Sequence, residues 1–260
     1  RMICTGGEPW TEKPWKWLFQ VIGKSKVPIM NSAGGTEVSG SILHCCLHRP
    51  FKVGSFNAPI PGMSADILNL DGKKVSTNEM GELVMRKSSI GLTKSLWNDD
   101  KRYIDNYWSV IKDYWVHGDL ASRDADGHWY LHGRSDDTIK VSGKRIGPSE
   151  LESVIVKSGK AKEVAAVGIP DANKGSKIIL SIVPAENNDQ KESFFEDLVI
   201  KDLGKSFKPD KVIFVKDLPK TRNMKIMRRV IKSCLANQDP GDLSTLLNPE
   251  SVEEIRSHAI

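Results

Sequence analysis

Four segments of this sequence carry residue types that could do chemistry. Asn31-Ser32-Ala33-Gly34-Gly35-Thr36-Glu37 is built from small residues and ends on a hydroxyl and a carboxylate. Small residues let the backbone approach a bound group closely. Thr36 offers a hydroxyl donor, and Glu37 a hard carboxylate oxygen. Trp115-Val116-His117-Gly118-Asp119 ends in a carboxylate able to accept from two hydroxyls at once. It continues through Asp126-Gly127-His128-Trp129 into a run from Gly133 to Pro148, Gly-Arg-Ser-Asp-Asp-Thr-Ile-Lys-Val-Ser-Gly-Lys-Arg-Ile-Gly-Pro. Gly6-Gly7-Glu8-Pro9 precedes these segments, and Leu218-Pro219-Lys220-Thr221-Arg222-Asn223-Met224-Lys225-Ile226-Met227-Arg228-Arg229 follows them. Singly, each has an ordinary reading: a Gly-Thr-Glu loop is usually a turn, and a basic helix start is usually a solvated face. Their joint occurrence in this order is not expected by chance.

These segments need elements to hold them. Trp15, Leu18, Phe19 and Ile22 recur at helical spacing, and Gly23 is a stop signal. Val27 to Met30 reads as a short strand feeding the small-residue loop. From about 50 to 133 the texture is β: apolar runs such as Glu82–Met85 and Trp129–Leu131 alternate with the turn dipeptides Asp71-Gly72 and Asp126-Gly127. A distorted barrel or a pair of small sheets is expected there. The periodicity changes after Gly133-Arg134-Ser135-Asp136-Asp137. Pro148 suits a first helical turn, with Leu151, Val154 and Ile155 as its apolar stripe. Strands at 164–169, 178–183 and 212–215 and helices at 194–203 and 226–235 then predict a small α+β domain, with a terminal helix starting near Asn248-Pro249.

Composition removes several function classes. The 260 residues are 39% hydrophobic and 27% charged, which suits a soluble globular chain. No apolar run reaches the length of about 18 residues that a membrane helix needs, and no secretory leader is apparent. Cys4, Cys45, Cys46 and Cys234 form no CxxC pair, so neither a zinc site nor a disulfide framework is implied, and reduced thiols of a cytoplasmic protein are expected. Net charge is +5, but the Lys and Arg residues are dispersed among acidic ones, and no nucleic-acid-binding motif is present. A small anionic ligand accounts for the excess.

Together the four segments resemble the adenylate-forming enzymes, which include acyl-CoA synthetases, luciferases and peptide-synthetase adenylation domains. The Gly-Glu-Pro opening and the Gly-Arg-Ser-Asp-Asp to Gly-Pro run are most similar to the acetyl-CoA synthetase branch. The resemblance covers nearly the whole chain except about the last 25 residues. It implies an α/β and α+β architecture. Residues 1–135 would be the end of a large domain, with a distorted β-barrel subdomain over about 50–133, and 136–260 a small mobile domain. It implies joining of a carboxylate to ATP with magnesium, then transfer of the acyl group to CoA. By resemblance, Gly7, Glu8 and Pro9 form the adenine wall, and Gly34, Gly35, Thr36 and Glu37 the nucleotide and acyl loop. Asp119 and Arg134 bind the ribose, and Arg145 the phosphate. Ser142 and Gly143 line the pantetheine path, Asp136 is the hinge, and Lys225 is the catalytic lysine. Competing readings are an adenylation module serving a carrier-protein thiol and a non-catalytic binding module on the same fold.

Two departures stand out. The pair before the lysine is usually Ser-Gly, whereas here it is Asn223-Met224, which implies a stiffer loop. Acetyl-specific members carry Trp at the position of Gly34, so its absence implies an acyl pocket roomier than acetyl needs, each buried methylene being worth about 0.8 kcal/mol. The chain opens on Arg1 and lacks the family's Pro-Lys-Gly phosphate loop. It therefore reads as a piece of a longer protein, not expected to form acyl-adenylate alone.

Overall fold

The computed structural model describes residues 1–10, 12–186 and 189–260. The chain divides into two compact units, Arg1–Asp136 and Asp137–Ile260.

The first unit holds two four-stranded sheets. One contains β1 (Ile3–Gly6), β2 (Ile29–Gly35), β3 (Gly40–His44) and β4 (Ala58–Pro59), in that order. β1 runs parallel to β2, so the connection must cross over. It does so through α1 (Glu12–Trp17) and a π turn at Leu18–Ile22, where the helical spacing was expected. The small-residue loop is itself strand: β2 continues through Gly34 and Gly35, with a register shift against β3 between Ala33 and Gly34. The second sheet contains β5 (Ala65–Leu68), β6 (Gly81–Met85), β7 (Trp115–Arg123) and β8 (Trp129–Arg134), all antiparallel neighbours; α2 (Asp100–Tyr103) and a π turn at Ile104–Trp108 lie between β6 and β7. Neither sheet closes, so the expected barrel is instead a pair of open sheets. Four short strands are too few to curl edge to edge, and β5 and β8 remain edges. Ile42 and Leu43 of β3 share one core with Leu83, Met85, Trp115, Ala121 and Trp129 of the second sheet.

The second unit begins with a hairpin, β9 (Ile139–Val141) and β10 (Lys144–Ile146). Its two-residue turn has positive φ at both Ser142 (49°) and Gly143 (80°), the type I′ geometry that matches strand twist. α3 (Pro148–Lys157) follows, with Pro148 in its first turn and the Glu150 carboxylate accepting from the Gly147 N–H. A three-stranded sheet is built from β11 (Ala161–Asp171), β12 (Gly175–Pro184) and β13 (Lys211–Phe214), with α4 (Glu192–Leu203) crossing between the last two. α5 (Arg228–Leu235) and α6 (Glu250–Arg256) complete the unit.

Both faces of this sheet are buried, and the sequence alternates accordingly. Val164, Ala166, Ile178, Leu180, Ile182 and Val212 face one core, with α3, α4 and the β9–β10 hairpin through Ile139, Val141 and Ile146. Ala165, Val167, Ile179, Val183 and Ile213 face the other, with Leu218, Ile226, Met227, α5 and α6.

Candidate functional site

In the first unit the parallel pairing of β1 and β2 places Gly6 opposite Ser32, so Gly7, Glu8 and Pro9 leave the sheet beside the start of the Gly34–Glu37 segment. Gly7 has φ +105°, a conformation that favours glycine. β2 ends at Gly35, and a single 3₁₀ turn, Thr36–Val38, follows. Val38 is fully buried and anchors this turn; the Glu37 carbonyl accepts from Thr93 N–H at 2.7 Å. Thr36 is thereby exposed and Glu37 half-buried.

Tyr107 lies beside the Glu37 carboxylate. Burial raises the Tyr107 pKa, and the neighbouring Glu37 charge raises it further, so the phenol stays a donor. Tyr107 comes from the π turn and stacks on Trp115 of β7, with centroids 5.2 Å apart and parallel planes. Two residues along β7, His117 is 6% exposed. It lies beside the Gly34 backbone, and its Nε2 is 3.4 Å from Asp119 Oδ2. Desolvation lowers its pKa, although Asp119 pulls the other way. Arg134 of β8 completes the cluster: its Nη1 donates to the His117 carbonyl at 3.0 Å and lies 3.5 Å from Asp119 Oδ1. Its Nε donates to Asp136 at 3.2 Å.

A side chain at any of these glycines would press on its neighbours. A Cβ on Gly35 would lie 3.1 Å from both Glu37 Oε2 and the His117 ring. Gly118 has φ +83°, and a Cβ there would lie 2.7 Å from Arg134 Nη2. A Cβ on Gly34 would lie 2.0 Å from the Gly40 carbonyl oxygen and 2.5 Å from Ser41 Cα. The backbone of β3 thus occupies the direction in which a side chain at Gly34 would project.

The remaining expected residues belong to the second unit. Ser142 and Gly143 form the exposed β9–β10 turn, and Arg145 is exposed on β10. Lys225 is exposed too, but not on a helix, since α5 begins only at Arg228. It sits in a tight hairpin closed by the Lys220–Ile226 bridge, Thr221 N–H to Lys225 O at 2.9 Å and Met227 N–H to Pro219 O at 2.8 Å. Met224 takes the left-handed conformation, φ +63°, that a glycine would adopt without cost.

Magnesium fits this donor set as a substrate-bound ion, for which one half-buried carboxylate plus phosphates suffices. Among the described residues no group of three or more His, Cys, Asp or Glu side chains could hold a metal by itself. Nor is any helix of these residues long and apolar enough to cross a membrane. Sequence reasoning assigned no role to Tyr107 or His117. His117 was findable, because residues two apart on a strand share a face and Asp119 was already singled out. Tyr107 had no such signal.

An acetoacetyl-CoA synthetase from Streptomyces lividans superposes on 99% of this chain and 40% of its own, with a TM-score of 0.85 at 22% identity. The architecture is that of the adenylate-forming enzymes. Residues 1–97 match the family described as AMP-binding enzyme, and residues 150–225 the AMP-binding enzyme C-terminal domain. The chain belongs to this adenylate-forming family. It is 37% identical over 262 residues to the acetyl-coenzyme A synthetase of Methanothrix thermoacetophila, covering 98% of this chain and 40% of the relative. It is 38% identical over 271 residues to that of Helicobacter pylori, covering 99% and 41%. The chain therefore spans about 40% of the length of these relatives.

Proposed function

We propose that the protein carrying this chain is an AMP-forming acyl-CoA synthetase for acetate or another short-chain carboxylate. A carboxylate oxygen attacks the α-phosphorus of ATP and expels pyrophosphate, giving an acyl-adenylate. The CoA thiolate then attacks the acyl carbonyl and AMP leaves. The observation that carries this reading is the joined cluster of Gly34, Glu37, Tyr107, His117, Asp119 and Arg134. It sets acceptors and donors beside a glycine-rich backbone.

In this reading Glu8 and Pro9 flank the adenine, and Asp119 accepts from the ribose hydroxyls with Arg134 beside it. Thr36 donates to phosphate, and Arg145 offers its guanidinium fork to phosphate as well. Glu37 would hold magnesium, which neutralises charge on the polyphosphate. The Tyr107 hydroxyl orients that carboxylate. The Lys225 ammonium bridges the attacking carboxylate and the α-phosphate, stabilising negative charge that grows in the adenylation transition state. Asp136 is the hinge on which the small domain carrying Lys225 turns between steps, and Ser142 and Gly143 leave a path for pantetheine.

The test is acyl-CoA formation by the full-length protein with ATP, magnesium, CoA and a carboxylate series from acetate to octanoate. Lys225→Ala is expected to lower carboxylate-dependent ATP–pyrophosphate exchange by at least about 100-fold. It should leave conversion of supplied acyl-adenylate to thioester intact. Normal exchange by the variant, or dependence on a phosphopantetheinylated carrier in place of CoA, would refute the proposal as stated.

A further inference from the structure

The Lys225 hairpin is held by a part of the chain that lies beyond the family match, which ends at residue 225. The hairpin is too small to define its own geometry, and its tip residues Arg222 to Lys225 are all exposed. Its base is defined from outside. Asn248, 7% exposed, spends its entire side-chain amide on the segment leading into the hairpin. Its Oδ1 accepts from Lys220 N–H at 3.0 Å, and its Nδ2 donates to Asp217 Oδ2 at 2.7 Å and to the Leu218 carbonyl at 2.8 Å. The flanking backbone repeats the connection: Leu247 N–H donates to Lys220 O at 2.8 Å, and Thr221 bridges Leu246.

Behind this contact lies a buried charge. Lys220 is 6% exposed, and its ammonium is held at 2.6 Å by both Glu163 of β11 and Asp217. A buried ammonium of this kind tolerates little displacement, because losing a partner leaves an uncompensated charge. The Asp217 carboxylate therefore serves Lys220 and Asn248 together, one oxygen for each. The strap is itself fixed, since Leu243, Leu246, Val252 and Ile255 pack into the core beneath α5, and the Asn248 carbonyl accepts from the Ser251 hydroxyl at 2.7 Å.

We infer that the segment 243–256 is a strap that sets the reach of Lys225, with Asn248 as its positioning residue. This inference rests on the reading of Lys225 as the adenylation lysine. Asn248 touches no substrate in this scheme and acts only through the hairpin. Its removal should therefore affect the half-reaction that uses Lys225 and spare the one that does not.

The experiment measures both half-reactions in the full-length protein, using the carboxylate with the highest wild-type rate and its acyl-adenylate. Asn248→Ala is expected to lower the kcat of ATP–pyrophosphate exchange at least about tenfold, the scale of an ångström-sized misplacement. KM for ATP and the rate of thioester formation from supplied acyl-adenylate should stay within about twofold of wild type, well under that tenfold loss. Val199→Ala loosens α4 in the core on the other face of the sheet, away from the strap, and should show no such split. If Asn248→Ala does not fold, Asn248→Asp decides the matter, since it keeps the shape and the acceptor for Lys220 N–H but loses both donors. The same selective loss is expected from it. Unchanged exchange, equal loss in both half-reactions, or the same split in Val199→Ala overturns the strap. Unchanged exchange in Lys225→Ala instead refutes the lysine reading itself, and the strap's role falls with it.

Discussion

Gly118→Ala isolates the backbone geometry on which the Asp119–Arg134 pair depends. At φ +83° an alanine pays the left-handed penalty, roughly 1–2 kcal/mol. Its methyl carbon would also meet Arg134 Nη2 at 2.7 Å and Cζ at 3.0 Å. The guanidinium can swing away, because its side chain is 41% exposed, but it then leaves Asp119 and the His117 carbonyl. A hydrogen bond from a charged donor is worth about 1.5–3 kcal/mol when protected, and about 1 kcal/mol is apt for this half-exposed pair. The expected loss of stability is about 2–3 kcal/mol, divided between strain and lost contact. Thermal unfolding and ATP binding should both respond, the latter because Asp119 loses the partner that orients it. A double-mutant cycle separates the two parts. On an Arg134→Ala background, Gly118→Ala should cost only the strain, so the coupling between the sites should be about 1 kcal/mol. Additive effects, or a Gly118→Ala protein with wild-type melting and wild-type ATP affinity, would refute the reasoning.

Met224→Gly should stabilise the second unit by up to about 1 kcal/mol, as relief of the left-handed strain exceeds glycine's entropic cost, whereas Met224→Val should destabilise it; melting temperatures of the pair check the order. Gly34→Ala should break the β2–β3 pairing and lower melting sharply, and Gly34→Trp should yield no folded protein, outcomes readable by circular dichroism and incompatible with an open pocket at that position. His117 is held neutral by burial, its folded pKa lying below the ordinary value of 6.5. The unfolded chain then binds the extra proton first, so the stability His117 contributes is full above about pH 6.5 and is lost as pH falls through the folded value. His117→Asn should flatten the fall in melting temperature between about pH 7.5 and 5.5, and an unchanged slope would exclude His117 as its source.

Much of this was legible in the sequence where periodicity or turn chemistry is local. The β11 and β12 strands, α4 and the Asp126-Gly127 turn follow from apolar alternation, helical spacing and a dipeptide suited to positive φ. The open sheet pair was legible only as an alternative, because whether β5 and β8 meet is a property of strand number and tilt, not of any one strand. Asn31–Gly35 read as a loop because small residues carry no strand signal; here they are strand because β1 and β3 pair with them from either side. Ile226 and Met227 read as helix by their spacing to Val230, yet the Lys220–Ile226 bridge holds Ile226 in the hairpin. The site shows the same division. Glu37, Asp119 and Lys225 stand in contiguous motifs, whereas Tyr107 reaches Glu37 only through a stack on Trp115 that no linear pattern encodes.

The two buried faces of the β11–β13 sheet make the two exposed loops of this unit independent of each other. The Ser142–Gly143 turn is built on the layer with α3 and α4, and the Lys225 hairpin on the layer with α5 and α6. A three-layer body of this kind is like a two-sided tool. A substitution confined to one core layer should therefore disturb the loop built on that layer and spare the other.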